Sequence, residues 1–515
     1  MAVPAAAAPH PPAPQFSHRE ILSVLSGALI GLMLAALDQT VVVTALPAIA
    51  GDLSGLQHLS WIVTAYLLTS TASTPIYGKL SDLYGRRRLI VIGIGIFVLS
   101  SAFCALAGSM GQLIVARGLQ GIGGGGLISM SQAIIADVIP PRERGKYQVY
   151  MSGIWALASV GGPALGGFFV EYLSWRWVFW INLPIGILGL VLCDRTLRRL
   201  PARGGYPRID FLGAAILIPG VVALLLVASW GGVEFPWSSP EILGLAAVGI
   251  LLLAAFGLQE LRALEPLLPP RLLLNPVILT ANAIGFVVSA GMFGAAVLLP
   301  VFLQLVLGRG PADTGLLMIP LMGGTVLGAY PTGQWMRRTG RYKKAPLLTL
   351  TGAVIGFLLL ATSGPATPAW LAAIYICIVG VGMGGAMPAT LVAAQNAAET
   401  RDIGAATASV AFFRSLGGSF GAAILWTILL VVASDRLAAG GAGTANLGAT
   451  LLQGAGGALS PAVKATLAPA LTKGFDWAFA AGAVIMAVAA ALIFTWKEIP
   501  LRSTHQPSAP PQVEG

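Results

Sequence analysis

Three charged residues stand where charge is expensive. Asp38 in LDQTVVVTALP, Arg117 in LIVARGLQGIGGGG and Arg414 in AFFRSLGGSFGAAI lie inside apolar runs long enough to span a bilayer. A charge at that depth has to be paired, protonated or hydrated. Desolvation favours the neutral form of a carboxyl group and a neighbouring guanidinium favours the charged form. A carboxyl whose partner or water access changes can therefore take up and release a proton. The plainer alternative for Asp38 is a permanent ion pair that fixes helix packing. No other acid is placed deep in a span, and no His lies in one to carry protons instead. One carboxylate neutralises one arginine, so the other needs carbonyls, water, amides or a ligand, unless it snorkels to the interface. The spans offer Gln39, Gln120, Gln132, Asn282, Gln304, Gln395 and Asn396. Of these, Gln39, Gln120, Asn282, Gln304 and Gln395, with Trp155, are the candidate lining of a binding cavity.

The elements that must hold these residues are membrane helices. Of 515 residues 56% are hydrophobic and 10% charged, and the mean hydropathy is +0.83, against about 25% charged residues in a soluble domain. The net charge of +10 comes from short loops, where basic residues read as orientation signals rather than as a nucleic-acid surface. Cys104, Cys193 and Cys377 all fall in apolar runs, so neither a disulfide framework nor a metal site is expected. The stretch 1–20, rich in Pro and Ala, lacks the pattern of a signal peptide and reads as a cytoplasmic tail.

Fourteen segments satisfy the length rule for a spanning helix, among them 58–78 as the second, 403–432 as the thirteenth and 475–496 as the last. Twenty-three of the 30 Lys and Arg residues then fall on one side and five on the other, with Arg117 and Arg414 inside. That bias places both termini in the cytoplasm.

The chain is also duplicated. GKLSDLYGRRRL at 78–89 returns as GQWMRRTGRYKK at 333–344, and the layout of 121–145 returns at 380–404. Parallel duplication is a transporter layout. The expected organisation is a tail at 1–20, a six-helix bundle at 21–200, an extra helix pair at 201–270, a second six-helix bundle at 271–498 and a tail at 499–515. The one long outer segment, 433–474, reads as either a short interfacial helix or a mobile loop, and as a place for an outer partner. In the first repeated stretch, Gly78 and Gly85 allow a tight turn. Asp82 and Arg86 can pair there and with Asp137, forming a latch that biases which side of the protein is open; simple retention of positive charge is the alternative. Arg337 stands at the place of Asp82 in the second copy, so the latch there should be weaker. In GIWALASVGGPALGGFF, the residues Gly162, Pro163, Gly166 and Gly167 suit a close, bent seam between the bundles. The glycine runs at 121–126 and 161–167 lie within apolar spans, without GxxxxGK[ST], so no ATP site is expected.

Taken together, these stretches resemble the major facilitator superfamily, specifically its 14-helix drug:proton antiporter branch. Gly78, Lys79, Leu80, Ser81, Asp82, Gly85, Arg86 and Arg87 resemble the inner-loop signature, and Arg117, Gln120 and Gly121 the helix-4 proton-transfer motif. Gly162, Pro163, Gly166 and Gly167 resemble the helix-5 antiporter motif, although Ala158 replaces its first Gly. LDQTVVVTALP and WRWVFWINLPIG resemble stretches of the 14-helix branch. The resemblance implies an all-α major facilitator fold in a cell membrane, without cofactor, acting as a monomer. It also implies export of lipophilic compounds against protons, with Asp38, Arg117 and Arg414 as the coupling residues. With one deep acid against two deep arginines, the expected pocket is not tuned to dications alone. A dedicated lipid or secondary-metabolite exporter is the alternative. An enzyme would need a nucleophile with its base or a carboxylate pair, and none lies in the spans.

Overall fold

The computed structural model describes residues 18–53, 58–199, 210–232, 234–439 and 461–502. Fourteen long helices fill them. They are α1 (His18–Asp52), α2 (Leu59–Tyr84), α3 (Arg86–Leu106), α4 (Met110–Val138), α5 (Pro141–Tyr172), α6 (Trp177–Thr196), α7 (Phe211–Trp230), α8 (Pro240–Glu260), α9 (Pro276–Leu305), α10 (Pro311–Thr339), α11 (Lys344–Ala361), α12 (Ala369–Ala397), α13 (Ile403–Ala439) and α14 (Pro461–Thr495). Thirteen are long and apolar enough to cross a membrane. The other, α2, has 26 residues and carries TSTAST in its middle. Its Ser70, Thr71, Ser73 and Thr74 are buried, so the polar run faces protein rather than lipid. Thr74 satisfies its hydroxyl on the Ser70 carbonyl at 2.8 Å.

Helices α1–α6 form one bundle and α9–α14 the other, each around its own apolar core. The extra pair α7–α8 packs against α2 and α13 through Leu217, Val221 and Phe256, which meet Leu68, Ala72, Phe412 and Leu416. Large apolar side chains such as Leu99, Phe103, Leu251 and Phe494 stay exposed around the circumference, as expected where lipid rather than water is the solvent.

The glycine run at 121–126 does the work of helix packing. A Cβ on Gly125 would lie 2.2 Å from the Ser70 carbonyl, and one on Gly121 2.3 Å from that of Tyr66, so α2 and α4 touch backbone to backbone.

Three expectations need correction. Gly78 does not build a turn. It lies within α2, where a Cβ would meet Ala408 of α13; the turn to α3 rests on Gly85 alone, at φ +89°. Gly162 and Gly166 do not form the seam between the bundles, because they face α1 of their own bundle: added Cβ atoms would strike Thr40 and Thr44, while Gly167 has open space. The outer segment 433–474 is shorter than expected, because α13 runs on to Ala439 and α14 begins at Pro461; residues 440–460 lie outside those described. Residues 501 and 502, at the start of the 499–515 tail, pack onto the second bundle: Leu501 N donates to Gly340 O at 2.9 Å, and Arg502 N to Asn396 Oδ1 at 3.0 Å.

Gly166→Val should lower the melting temperature in detergent, by the equivalent of about 1–3 kcal/mol of overpacking, whereas Gly167→Val should leave it unchanged. Thermal unfolding of the two purified variants checks this.

Candidate functional site

Asp38 and Arg117 meet at 2.6 Å, Nη1 to Oδ2. Asp38 is 0% and Arg117 1% exposed. Every oxygen of the carboxylate is used: Oδ1 accepts from Gln120 Nε2 at 2.8 Å and from Asn182 Nδ2 at 2.9 Å. Ser101 Oγ accepts from the same two amides, at 2.6 Å and 3.0 Å. The guanidinium donates to Gln120 Oε1 at 2.6 Å and to the Ile62 carbonyl at 3.1 Å, and it lies 4.4 Å over the Tyr66 ring. Five helices, α1, α2, α3, α4 and α6, thus converge on one ion pair. Such a pair is tolerable without water because its hydrogen-bonding capacity is met by protein.

Sequence reasoning missed Asn182, Ser101 and Tyr66. Asn182 had a legible signal, since it is the amide within the apolar stretch WVFWINLPIG; a serine and a tyrosine in a span carry none.

Arg414 does not join this centre. It lies in the second bundle, half-buried between α9 and α12, where Nη2 donates to the Met387 carbonyl and, at 2.7 Å, to Thr390 Oγ1. Nor are the amides gathered into one cavity. Gln120 is sealed into the ion-pair network. Asn282 and Ser409 bind each other, buried between α9 and α13. Gln304 sits in the last turn of α9, and Gln39 and Trp155 are half-buried in the first bundle.

Gln395 belongs to a different construction, the closure of the face that carries the basic loops. There Arg144, 1% exposed, donates to the carbonyls of Ile139 and Ala136 and, across the bundles, to Gln395 Oε1 at 3.3 Å. Arg142 donates to the carbonyls of Arg337 and Arg338 at 2.8 Å and 3.1 Å. Gly145 of α5 and Gly333 of α10 touch so closely that a Cβ on Gly333 would lie 2.3 Å from the Gly145 carbonyl oxygen.

The latch residues sit on this face too. Arg86 binds Asp82 at 2.6 Å and Asp137 at 2.8 Å, while Asp82 accepts the backbone N–H groups of Gly404 and Ala405 at 3.0 Å and 2.8 Å. Asp82 therefore holds the start of α13 in the other bundle as well as its own Arg86. Its neighbour Lys79 is anchored by Glu265, beyond the extra helix pair, at 2.8 Å. Arg87 binds Asp194 instead.

A sequence model of the Major Facilitator Superfamily matches residues 28–422. The chain is 40% identical over 409 residues to the multidrug transporter protein MdtP of Bacillus subtilis strain 168, covering 79% of this chain and 75% of that one. It is 34% identical over 414 residues to multidrug resistance protein 3 of the same organism, covering 80% of each. To the efflux pump FUS6 of Gibberella fujikuroi it is 35% identical over 405 residues, covering 76% and 72%. Among solved structures, the human organic anion transporter MFSD10 superposes with a TM-score of 0.62 at 15% identity, over 92% of this chain and 99% of that one. The proton:xylose symporter XylE superposes with a TM-score of 0.62 at 17% identity, over 95% and 98%. At these identities the superpositions speak to the fold alone.

Two outcomes are expected. Arg117→Gln alone should destabilise the protein by about 3–5 kcal/mol, because it strands a buried carboxylate, and adding Asp38→Asn should restore much of the loss; melting temperatures of the single and double variants test this. Asp82→Asn should loosen the basic face, and spin labels at Glu143 and Thr339 should then report a longer and broader distance distribution than in the unmodified protein.

Proposed function

The chain belongs to the Major Facilitator Superfamily and is a membrane transporter of that family, and from this we propose that it exports lipophilic and amphiphilic compounds from the cytoplasm in exchange for protons. Asp38 is the proton carrier. The basic face is the cytoplasmic one, with both termini on it in a cell membrane, so the closed latch described above seals the protein from the cytosol. The relatives named for multidrug transport and efflux support the direction and the breadth of substrate.

The observation that carries the coupling is the sealed pair of Asp38 and Arg117. A proton reaches Asp38 only when the bundle opens to the opposite face. Once neutral, Asp38 no longer compensates Arg117, which is left with the Gln120 and Ile62 oxygens and the Tyr66 ring. The cost of that uncompensated charge favours whichever conformation hydrates or re-pairs it. Helix α4 carries the effect inward: from Arg117 to Asp137 it spans about 30 Å, and Asp137 holds Arg86, which holds Asp82 on α13. Loss of the proton to the cytosol restores the pair and resets the latch. One proton moving inward supplies ~2.3 kcal/mol per 100 mV and ~1.4 kcal/mol per pH unit, enough to concentrate a neutral substrate several hundredfold at about 100 mV and one unit.

In inside-out vesicles, adding lipophilic dyes or antibiotics should collapse a preformed pH gradient with the unmodified protein and leave it intact with Asp38→Asn. Collapse of equal size in both would overturn Asp38 as the carrier. No collapse with any compound, alongside transport of a lipid by the purified protein, would favour a dedicated exporter.

A further inference from the structure

The arginine deepest in the span is neutralised in one bundle and not in the other. In the first, Arg117 is neutralised by Asp38. In the second, Arg414 is the deep cation, and among the described residues no carboxylate stands in salt-bridge contact with it. The acids that flank it on its own helix line, Asp402 and Asp435, are 12 and 21 residues away, about 18 Å and 31 Å along the axis, and Asp402 is already held by Arg271 at 2.6 Å. Arg414 lies about 16 Å from the basic end of α13, halfway through a hydrocarbon core of about 30 Å.

Its place in the fold is as telling as its charge. The next residue, Ser415, meets Thr71 of α2 at 2.5 Å across the boundary between the bundles. Arg414 itself is half-buried beside Gly285, Val288, Ala386, Met387 and Thr390, and the crevice between them is too tight to hold a water molecule. Among the described residues, of its donors only Nη2 is bound, to Met387 O and Thr390 Oγ1. Nε and Nη1 are therefore left to serve a ligand. Gly285 keeps α9 clear of the side chain: a Cβ there would come within 3.3 Å of Arg414 Cγ. A half-buried guanidinium fixed at one nitrogen among apolar side chains matches a planar or tetrahedral oxyanion on an apolar body.

We propose that the unpaired guanidinium of Arg414 forms an anion subsite in the second bundle, and that the preferred substrates are anionic amphiphiles whose carboxylate, sulfonate or phosphate binds the Nε–Nη1 edge. The inference rests on the exporter reading for the traffic through the pocket, but the binding itself needs no gradient. It gives the two bundles different duties: the first holds the proton and the second the substrate's charge.

Equilibrium dialysis of protein in lipid nanodiscs tests it with three probes of one skeleton: 2-naphthalenesulfonate, 2-naphthol and trimethyl(2-naphthyl)ammonium. The unmodified protein should bind the sulfonate about tenfold or more tighter than either of the others, as a charge-assisted hydrogen-bonded contact would give. Arg414→Gln should bring the three to within about twofold, and Arg414→Lys should keep part of the preference. A preference for the naphthol or the ammonium, or a sulfonate preference unchanged in Arg414→Gln, would overturn the proposal. If Arg414→Gln does not fold, Arg414→Met decides in its place: the three probes should again bind within about twofold, and an unchanged sulfonate preference in that variant would equally overturn it. Sulfonate binding intact without proton exchange in vesicles would sink the antiport reading and leave the subsite standing, and the converse pattern would do the reverse.

Discussion

An ion pair withdrawn from water organises this protein. Asp38 and Arg117 are sealed at the meeting point of five helices, and every nearby polar atom drawn into their network is there because an unsatisfied charge in a bilayer is too costly to keep. Gln120 and Asn182 donate their amides to the carboxylate and to Ser101 Oγ. The close approach of α2 and α4, permitted by Gly121 and Gly125, brings the Ile62 carbonyl and the Tyr66 ring onto the guanidinium. The pair is therefore a packing device: the contacts that make it tolerable tie α1, α2, α3, α4 and α6 together.

From that centre the structure divides labour between copies of one ancestral pattern. The repeated stretches at 78–89 and 333–344 fold alike as the end of one helix and the start of the next, yet Asp82 has Arg337 as its counterpart. The first copy accordingly supplies an acceptor that grips the start of α13, and the second supplies carbonyl oxygens that Arg142 grips. The two closures are complementary rather than equivalent. The extra pair α7–α8 sits beside this boundary, covering α2 and α13 where they meet, and Glu265, in the segment that follows it, anchors Lys79.

Much of this was legible in the sequence for a simple reason: hydrocarbon punishes misplaced charge, so apolar runs and their interruptions report position strongly. Thirteen of the fourteen long helices and the pairing of Asp38 with an arginine follow from that rule, whereas the two bundles were read from the repeated stretches. It fails where energy is governed by proximity between distant segments. Glycine spacing announces that two backbones touch but not which two, so Gly162 and Gly166 were assigned to the wrong neighbour and Gly78 to a turn. Amide residues in spans announce a polar partner but not its location, so Gln395 read as cavity lining and proved to hold the closed face. Arg414 was grouped with Asp38 on charge alone, although they belong to different bundles. The ends of α13 and α14 were misplaced because an outer extension rich in Ala and Gly has no hydropathy edge to mark it.

The closure of the basic face has an asymmetry of acceptors. Asp82 is met by the main-chain N–H groups of Gly404 and Ala405, Arg142 by the main-chain oxygens of Arg337 and Arg338, and the contact of Gly145 with Gly333 is backbone on backbone. In each case the second bundle contributes its chain rather than its side chains. Such a closure constrains both bundles: the first must keep its aspartate, its arginine and Gly145, and the second must keep Gly333 and Gly404, where an added Cβ would lie 2.3 Å from the Gly145 carbonyl oxygen and 2.7 Å from Asp82 Oδ1. Arg337 and Arg338, by contrast, meet the first bundle through their carbonyl oxygens, so their side chains can change while the contact stays.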